Sequence, residues 1–426
     1  MFPLGASVAV AALERDPHPL LAQLRAREPV SWVPALGGWL VTRRDIVARM
    51  LRDPQTFTVA DPRFSTARVV GPSMLSLDGP EHKRHRDPFA AALRGADSGA
   101  QLAAFTAAAA AQLVAAIAPA GRGELRREVA GPLAVAVIAQ LLGLGQAEPR
   151  LILSWYEAIA GAVSAMAAQD GPPASTSVPG SPARADPGAE AFGMLRASLE
   201  AAMAGSDGRP LLAQVAAGGA LSTGEVVSNA AVLMFGGIET TEGMICNAML
   251  HLLSHPDQAA ALIADPELAA GAIEESLRLE PAAAVVDRYA TADVTVGAAA
   301  IRRGDLVTLS LAAANRDPAF FADPDRFDVR RPEARLHLAF ARGPHFCIGA
   351  QLARLEARAA ILAVLDQLPG LRLDPAGRPE PRGLVFRKPP ELLLRWDAGQ
   401  ARWLARLAAP VRPPGSTAWP GPASSR

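Results

Sequence analysis

Cysteine is scarce in this chain of 426 residues, which contains only Cys246 and Cys347. Two cysteines so far apart argue against a disulfide framework and favour a reducing compartment. Lysine is equally rare, because only Lys83 and Lys388 occur among the 42 lysine and arginine residues. We interpret this shortage as compositional bias rather than chemistry. The formal net charge is zero, so the composition does not indicate nucleic acid as a partner.

Long hydrophobic runs are missing from the start of the chain. The apolar stretch from Val8 to Leu13 is too short to span a membrane, and it lacks the basic region and cleavage site of a signal peptide. Half of the residues are hydrophobic, so the chain can bury a large core in one domain or in several. We therefore expect a cytoplasmic protein that does not enter a membrane.

The most informative stretch runs from Phe340 to Arg354. Gly343 and Pro344 tighten a loop that delivers Cys347 to the start of an amphipathic helix. A thiolate in this place would face the positive end of the helix. Such a thiolate can ligate haem iron and donate electron density to it, which favours cleavage of a bound O–O bond. A lone buried cysteine is otherwise an ordinary small hydrophobic residue, and we interpret Cys246 in this way.

With its flanks, this loop resembles the haem-binding signature of the cytochrome P-450 superfamily, Phe-Gly-x-Gly-x-His-x-Cys-x-Gly followed by Leu-Ala-Arg. The matching residues are Phe340, Gly343, His345, Cys347, Gly349, Leu352, Ala353 and Arg354. Ala341 departs from the pattern, since the family usually has glycine there, and a positive φ would be costly for alanine. The resemblance implies that Cys347 is the axial ligand of the iron of haem b. It also implies that Phe340, Ala341 and Gly349 belong to the cofactor-binding loop.

Basic residues complete the cofactor site that the resemblance implies. His82 and Arg86 are four residues apart, so on a helix they could hold one anionic group together, although a solvated basic helix start is the alternative. In the family, a His-x-x-x-Arg pair of this kind binds the haem propionates, and we expect this role for His82 and Arg86. Arg288 and His345 match the remaining propionate ligands.

A long apolar helix is predicted from about Thr223 to Ser254, and it contains the polar run Gly236 to Thr241. Two glycines weaken the helix and a threonine hydroxyl can bond the carbonyl one turn back, so this turn is prone to open. The resemblance places oxygen activation here, with Glu239 and Thr240 as the acid and the alcohol of a proton relay.

A pair of charged residues matches a structural motif of the family. Glu275 and Arg278, three residues apart on a helix, would by themselves form a minor surface pair. The family pairs its Glu-x-x-Arg with an arginine from a later Pro-x-Arg-Phe segment, which Arg326 supplies here. We expect Glu275, Arg278 and Arg326 to act structurally behind the haem.

The candidates for the substrate pocket are residues from scattered segments, and ordinary packing explains each of them equally well. They are Val69, Val70, Met74, Leu233, Gly236, Gly237, Val285, Val286 and Phe386. The proline- and glycine-rich segment at 171–187 is either part of a lid over the substrate channel or a tolerated surface insertion.

The sequence therefore predicts a mainly α-helical protein with small β-sheets, in the triangular cytochrome P-450 fold around a buried haem. Residues 1–398 would form the haem domain, and 399–426 a tail with little structure. The resemblance implies a monomeric monooxygenase that inserts one oxygen atom from O₂ into a lipophilic small molecule of secondary metabolism, by hydroxylation or epoxidation. The alternatives are a peroxygenase or oxidative-coupling enzyme of the same fold, or a non-catalytic haem protein.

The sequence shows no flavin or nicotinamide site. We therefore expect electrons from NAD(P)H to arrive through separate proteins, a ferredoxin and its reductase. Arginines in the elements expected on the cysteine side of the haem are predicted to form a basic docking patch for an acidic ferredoxin. They are Arg84, Arg342, Arg354 and Arg358.

Overall fold

The computed structural model of the protein describes residues 2–94, 96–145, 147–169, 187–204 and 211–398. The predicted tail at 399–426, and all of the predicted lid segment except its last residue, lie outside the described residues. The helices are α1 (Pro3–Ala6), α2 (Val10–Arg15), α3 (His18–Arg27), α4 (Arg44–Met50), α5 (Ser65–Val70), α6 (Gly79–Leu93), α7 (Ala96–Ile117), α8 (Gly131–Leu142), α9 (Pro149–Gln169), α10 (Pro187–Ala204), α11 (Leu211–Ala217), α12 (Thr223–Ser254), α13 (Pro256–Ala264), α14 (Ala269–Leu279), α15 (Leu311–Ala314) and α16 (Ala350–Gln367). A π-helical turn, Arg126–Ala130, leads into α8.

The strands are β1 (Val30–Val33), β2 (Gly38–Val41), β3 (Phe57–Thr58), β4 (Arg122–Glu124), β5 (Val285–Ala290), β6 (Val294–Val296), β7 (Ala299–Ile301), β8 (Leu306–Ser310), β9 (Arg372–Leu373) and β10 (Leu393–Arg395). They form a five-stranded sheet in the order β1-β2-β8-β5-β3, a three-stranded sheet β4-β10-β9 and the pair β6-β7. In the large sheet β2 and β8 run parallel, and the other neighbours are antiparallel. The prediction of a mainly helical protein with small sheets is confirmed.

The central helix is α12, which has 32 residues and begins with a capping box. The Ser222 hydroxyl accepts from the Glu225 N–H at 3.4 Å, and the Glu225 carboxylate accepts from the Ser222 N–H at 2.8 Å. This reciprocal arrangement satisfies backbone donors at the start of the helix. A helix of this length extends for about 48 Å, so it can pass through the whole molecule.

Two hydrophobic cores share α12. Its first half, from Val226 to Ile238, packs in one core with α8, α9, α10 and α11. Its second half, from Met244 to Leu252, packs in another core with α7, α14 and α16. The polar run that contains Glu239 and Thr240 lies between them. The predicted relay residues therefore lie on a part of α12 that belongs to neither core.

One helical segment among the described residues, Gly99–Ala120, is long and apolar enough to cross a membrane. Its Ala110 and Val114 are buried in the core that α16 shares, and Leu102, Phe105 and Leu113 pack against the same core. Length and hydropathy alone do not distinguish a membrane span from a packed helix rich in alanine.

Candidate active site

The loop before α16 holds Cys347 in a fixed backbone frame. The Cys347 N–H donates to the Phe340 carbonyl oxygen at 2.9 Å. Ala341 and Gly343 both adopt the left-handed conformation, with φ of 57° and 74°. A Cβ on Gly343 would lie 2.4 Å from the Leu51 carbonyl oxygen, so this position requires glycine. Ala341 does adopt the positive φ that would make alanine costly.

The sulfur of Cys347 lies in a buried but partly electropositive environment. Burial raises the pKa of the Cys347 thiol, whereas the Gly349 N–H and the guanidinium groups of Arg86 and Arg354 lower it in part. The helix that follows begins at Ala350, so the predicted position of the cysteine before a helix is correct. A bound metal ion supplies the further positive charge that deprotonates a coordinating thiol.

Basic side chains surround this loop. The rings of His82 and His345 lie 4.3 Å apart, and the Arg86 guanidinium donates to the Phe346 carbonyl oxygen at 2.5 Å. Arg288 is buried in β5 and donates to the Asp287 carbonyl oxygen at 2.7 Å. The Nε2 atom of His82 is buried and has no hydrogen-bond partner among the residues that the structure describes, and burial together with its positive neighbours lowers the pKa of His82 to about 4.

An acidic residue, which the sequence analysis missed, also faces these basic groups. The Asp78 carboxylate pairs with His345 Nε2 at 2.7 Å, and it accepts from the Thr58 hydroxyl at 2.6 Å. Although Asp78 is negatively charged, His82 Nε2 and the guanidinium groups of Arg86 and Arg288 can donate hydrogen bonds to carboxylates. These residues therefore fit the propionate groups of a haem.

On α12, the Thr240 hydroxyl donates to the Gly236 carbonyl oxygen at 2.6 Å. The helix is nevertheless continuous through this segment, so the predicted opened turn is not formed. Space comes instead from Gly236, where an added Cβ would meet no atom within 4 Å, whereas a Cβ on Gly237 would lie 3.1 Å from Ile138. Gly236 therefore provides the open side of the helix, and Gly237 provides the packed side.

Glu239 is held by two side chains that the sequence analysis did not assign to the site. Its carboxylate accepts from Lys388 Nζ at 2.7 Å and from the Tyr156 hydroxyl. Lys388 also contacts Glu242 at 3.0 Å, and Arg126 pairs with the other oxygen of Glu242. One of the two lysines of the chain thus lies in the site, so interpreting the lysine shortage as mere compositional bias overlooked it.

The substrate-pocket candidates divide into two neighbouring groups. Val69, Val70, Met74 and Leu233 all belong to the core formed with α8 to α11, which also contains Phe235. Phe386 connects them to β5, because its ring lies 5.7 Å from that of Phe235 and its backbone pairs with Ala283. Val285 and Val286 follow in β5. Tyr156 extends the aromatic cluster, with its ring 6.0 Å from Phe235.

Near these residues, α5, α10 and α12 border an open cavity of about 410 Å³. Its lining includes Val69, Val70, Phe192, Arg196, Glu225 and Val227. The cavity gives two of the candidate residues, Val69 and Val70, access to a space large enough for part of a small organic molecule.

The structural triad contains a different arginine from the predicted one. Arg278 pairs with Glu275 through Nε at 2.7 Å, and both side chains are fully buried. The third member is Arg331, whose Nε lies 2.9 Å from Glu275. The Arg326 side chain is 64 % exposed and pairs with Asp328, so its predicted role is wrong. Only the Arg326 backbone takes part, since its carbonyl oxygen accepts from Arg278 at 3.1 Å.

The predicted docking patch is only partly formed. Arg342 and Arg354 border a depression of about 350 Å³, whose lining also includes Arg52, Arg335, His337 and Phe346. Arg354 and Arg358 are paired with Glu274 and Glu267. Arg84 is not in the lining of this depression, because it pairs with Glu81 and with Glu225 at the start of α12. The arginines that line the depression together with Arg342 and Arg354 are Arg52 and Arg335, and Arg84 is not one of them.

The fold and the site together define the class of protein. A cysteine held before a helix, basic groups suited to haem carboxylates, and a buried central helix with an acid and an alcohol are the parts of a haem-thiolate oxygenase.

Comparison with known proteins gives the same class. A family model described as Cytochrome P-450 matches residues 208–383. Cytochrome P-450 monooxygenase PikC of Streptomyces venezuelae is 36 % identical over 409 residues, which cover 90 % of this chain and 92 % of that protein. Nocardicin C N-oxygenase of Nocardia uniformis subsp. tsuyamanensis is 33 % identical over 430 residues, covering 93 % and 98 %.

Solved structures show the same fold. CalO2 superimposes with a TM-score of 0.79 and 29 % identity, covering 90 % of this chain and 96 % of that one. A cytochrome P-450 from Chondromyces apiculatus superimposes with a TM-score of 0.80 and 30 % identity, covering 92 % and 98 %. The chain therefore belongs to the cytochrome P-450 family. The predicted fold is confirmed, and the enzyme is a monooxygenase of the bacterial type.

Proposed function

We propose that this monooxygenase inserts one atom of O₂ into a lipophilic small molecule of secondary metabolism, using Cys347 as the iron ligand and Glu239 and Thr240 as the proton relay. The observation that carries the proposal is a shared packing environment. Ile348, next to Cys347, packs against the same core as Leu233, Phe235 and Ile238 of α12. The cysteine loop and the relay segment therefore pack against one hydrophobic core.

A bound haem b supplies the iron at which O₂ is activated. In this proposal Cys347 would bind that iron, and His82, Arg86, Arg288 and His345 would bind the propionates. Phe340, Ala341 and Gly349 would shape the loop beneath the ring.

Residues of α12 serve the proton transfers. The Thr240 hydroxyl donates to the Gly236 carbonyl and keeps its lone pairs, so it can accept a hydrogen bond from a proton donor. Glu239 is linked to the protein surface through Lys388, Glu242 and Arg126. It would return protons to Thr240. The aromatic cluster of Tyr156, Phe235 and Phe386 would exclude water and contact an apolar substrate.

The composition of the pocket supports the substrate class. Its candidate residues are apolar or aromatic apart from the relay, which suits a lipophilic molecule held mainly by burial. A vitamin D(3) 25-hydroxylase of Pseudonocardia autotrophica and a cyclomarin C epoxidase of Salinispora arenicola are 33 % and 32 % identical to this chain, and their names describe a hydroxylation and an epoxidation. We propose the same two reaction types for this chain.

Turnover tests this function. Holoenzyme supplied with a ferredoxin, its reductase and compounds chosen by their shift of the iron spin state should consume NAD(P)H and O₂ and release product in equal amounts. Product formed only from added hydrogen peroxide would instead indicate a peroxygenase, and ligand binding without any turnover would indicate a non-catalytic haem protein.

Electrons would come from NAD(P)H through a ferredoxin and its reductase, with the enzyme acting as a cytoplasmic monomer. The basic depression lined by Arg52, Arg335, Arg342 and Arg354 adjoins Phe346, one residue before the cysteine, and so offers an acidic ferredoxin a short path to the haem. Exposed charge pairs mainly accelerate association, and salt screens them.

Arg342→Glu should slow reduction by the ferredoxin several-fold at low ionic strength, and the difference from wild type should shrink as salt is added. Arg302→Glu, at an exposed arginine after β7 paired with Asp293, is the matched control and should behave like wild type. Equal reduction rates for both variants at low salt would place the docking site elsewhere.

A further inference from the structure

Glu239 is held by side chains from two other parts of the chain. Lys388 precedes the strand β10 by a few residues, and its Nζ lies 2.7 Å from the carboxylate. Tyr156 comes from α9 and donates its hydroxyl to the other carboxylate oxygen. Both contacts are shielded, since the side chains of Lys388 and Glu239 are 10 % and 17 % exposed. Hydrogen bonds to an ionised carboxylate in such surroundings are stronger than on the open surface.

Lys388 divides its charge between two carboxylates. Glu242 lies one helical turn after Glu239, and Lys388 Nζ contacts it at 3.0 Å. Arg126, from the π-helical turn before α8, pairs with Glu242 from the other side and is 26 % exposed. Two acids and two bases therefore alternate from the protein surface to Glu239. Removing only one of these partners would leave an unbalanced buried charge.

The main chain around Lys388 is anchored to the body of the protein. The carbonyl oxygen of Arg387 accepts from Asn247 of α12 at 3.0 Å, and the Arg387 guanidinium pairs with buried Glu280 at 2.8 Å. Gly243 lets the lysine approach α12, because a Cβ there would lie 3.4 Å from that of Lys388 and 3.1 Å from that of Ala282. The backbone at Lys388 is therefore held in place beside α12.

Tyr156 has a different attachment. It lies on α9, which packs mainly against α10, and its ring lies 6.0 Å from that of Phe235 on α12. Burial and the adjacent Glu239 raise the pKa of the Tyr156 phenol, so it remains a hydrogen-bond donor. A displacement of α9 would break this bond and leave the bond to Lys388 intact.

We propose that Lys388 and Tyr156 are positioning residues for Glu239, with Lys388 as the fixed partner and Tyr156 as the partner that links the acid to α9. The inference rests on the proposed role of Glu239 in the proton relay. It adds that the placement of the acid depends on where α9 lies, because Tyr156 makes one of its two hydrogen bonds, so that a displacement of this helix changes proton delivery. Glu242 and Arg126 keep Lys388 in place by balancing its charge.

The two-lysine composition permits a direct test of the Lys388 contact. Holoenzyme with ¹³C at the lysine ε carbon, in the diamagnetic ferrous carbon-monoxide form, should give two lysine signals, which Lys83→Met and Lys388→Met assign. Glu239→Gln should shift the Lys388 signal and leave Lys83 unchanged, because Lys83 is exposed and pairs with Asp87. A Lys388 signal identical in wild type and Glu239→Gln would overturn the proposal.

Hydrogen exchange tests the link to α9. Tyr156→Phe keeps the ring and removes only the hydroxyl, so amides of α9 should exchange faster while those of α7 keep their wild-type rates. Unchanged exchange in α9 would refute the link.

Turnover separates this inference from the proposed function. Because Lys388→Met alone leaves two carboxylates facing each other, the double variant Lys388→Met with Glu242→Gln is the better test. It should form product at least about tenfold more slowly, with substrate affinity, measured from the spin-state shift, within about twofold of wild type. Lys83→Met should match wild type. A wild type that forms no product would refute the proposed function, whereas a double variant as active as wild type would refute the positioning role.

Discussion

The Cys347 loop and the Glu239 cluster are built in opposite ways. The loop is formed by neighbours in sequence, with the Phe340 carbonyl oxygen accepting from Cys347 and left-handed conformations at Ala341 and Gly343. The cluster joins Tyr156 to Glu239 across 83 positions and Lys388 to Glu242 across 146. A site made by backbone geometry leaves a readable pattern of glycine, proline and cysteine. A site made by side-chain contacts between distant elements leaves none.

The Cys347 loop and the Glu239 cluster also hold different kinds of group. The loop has to hold one atom, the sulfur, and a rigid backbone does this well. The cluster holds Glu239, which is a proton carrier in our proposed function, and its partners would have to release and bind this carboxylate during turnover. Side chains on different elements can change contacts independently, which a single loop cannot do.

Among the substitutions, loss of the Cys347 sulfur should have the strongest consequence. Cys347→Ser should abolish the long-wavelength absorption of the reduced carbon-monoxide complex that is peculiar to cysteinate-ligated haem, because the only sulfur in the loop is removed. Cys246→Ser should keep the band, since Cys246 is fully buried in the core of α12. If only Cys246→Ser lost the band, Cys246 would be the iron ligand and the assignment to Cys347 would be wrong.

The relay should show the next largest effect. Thr240→Ala removes a hydroxyl but no iron ligand, so haem content and substrate affinity should stay near wild type. The proton-transfer step should slow by about a hundredfold or more, and hydrogen peroxide should replace product. Product and peroxide per NAD(P)H measure this directly. Thr291→Ala, at an exposed threonine after β5, should leave the ratio unchanged.

The buried triad of Glu275, Arg278 and Arg331 should affect the free energy of unfolding. Arg331→Met removes a partner of fully buried Glu275 and should cost about 3–5 kcal/mol of unfolding free energy. Arg326→Met, at the exposed arginine that the sequence predicted for this role, should be nearly as stable as wild type. Denaturation midpoints of the two holoenzyme variants test the assignment, and the reverse order would restore Arg326 to the triad.

The smallest effect concerns the strained alanine of the loop. Ala341→Gly should stabilise the protein by up to about 1 kcal/mol, because glycine accepts the φ of 57° without a steric penalty. The same change at Ala353, inside α16, should destabilise by about 1 kcal/mol. If both variants lose stability, packing of the Ala341 methyl group outweighs its backbone strain.

Sequence reasoning identified the helices best where one face is continuously apolar. The bounds of α12 were predicted at Thr223 and Ser254, as observed, because a long buried helix carries its signal in every turn. The β1–β2 hairpin also has a local signal, because its strands are two β-rich runs around a glycine turn. The opened turn at Gly236 was predicted from two adjacent glycines, but it is not formed, because the buried turns of α12 before and after this segment keep the helix continuous.

The third arginine of the triad shows why spacing can mislead. Arg326 and Arg331 are both close in sequence to the segment that covers Glu275, and the motif selected the first. The backbone turns at Asp328, whose N–H donates to Glu275 at 3.2 Å, and this turn directs Arg331 inward and Arg326 toward solvent. A pattern of residue types cannot show which way a chain turns.

The amino-acid sequence identified the family, and it was sufficient to locate Cys347 before a helix and to select Glu239 and Thr240 as candidates for the relay, because each of these motifs consists of residues that are neighbours along the chain. Only the tertiary structure decided that a lysine and a tyrosine hold the acid, and that Arg331 completes the triad. Those contacts arise when α9, α12 and the chain before β10 pack together. Their energies depend on distance and burial, which separation in sequence does not encode.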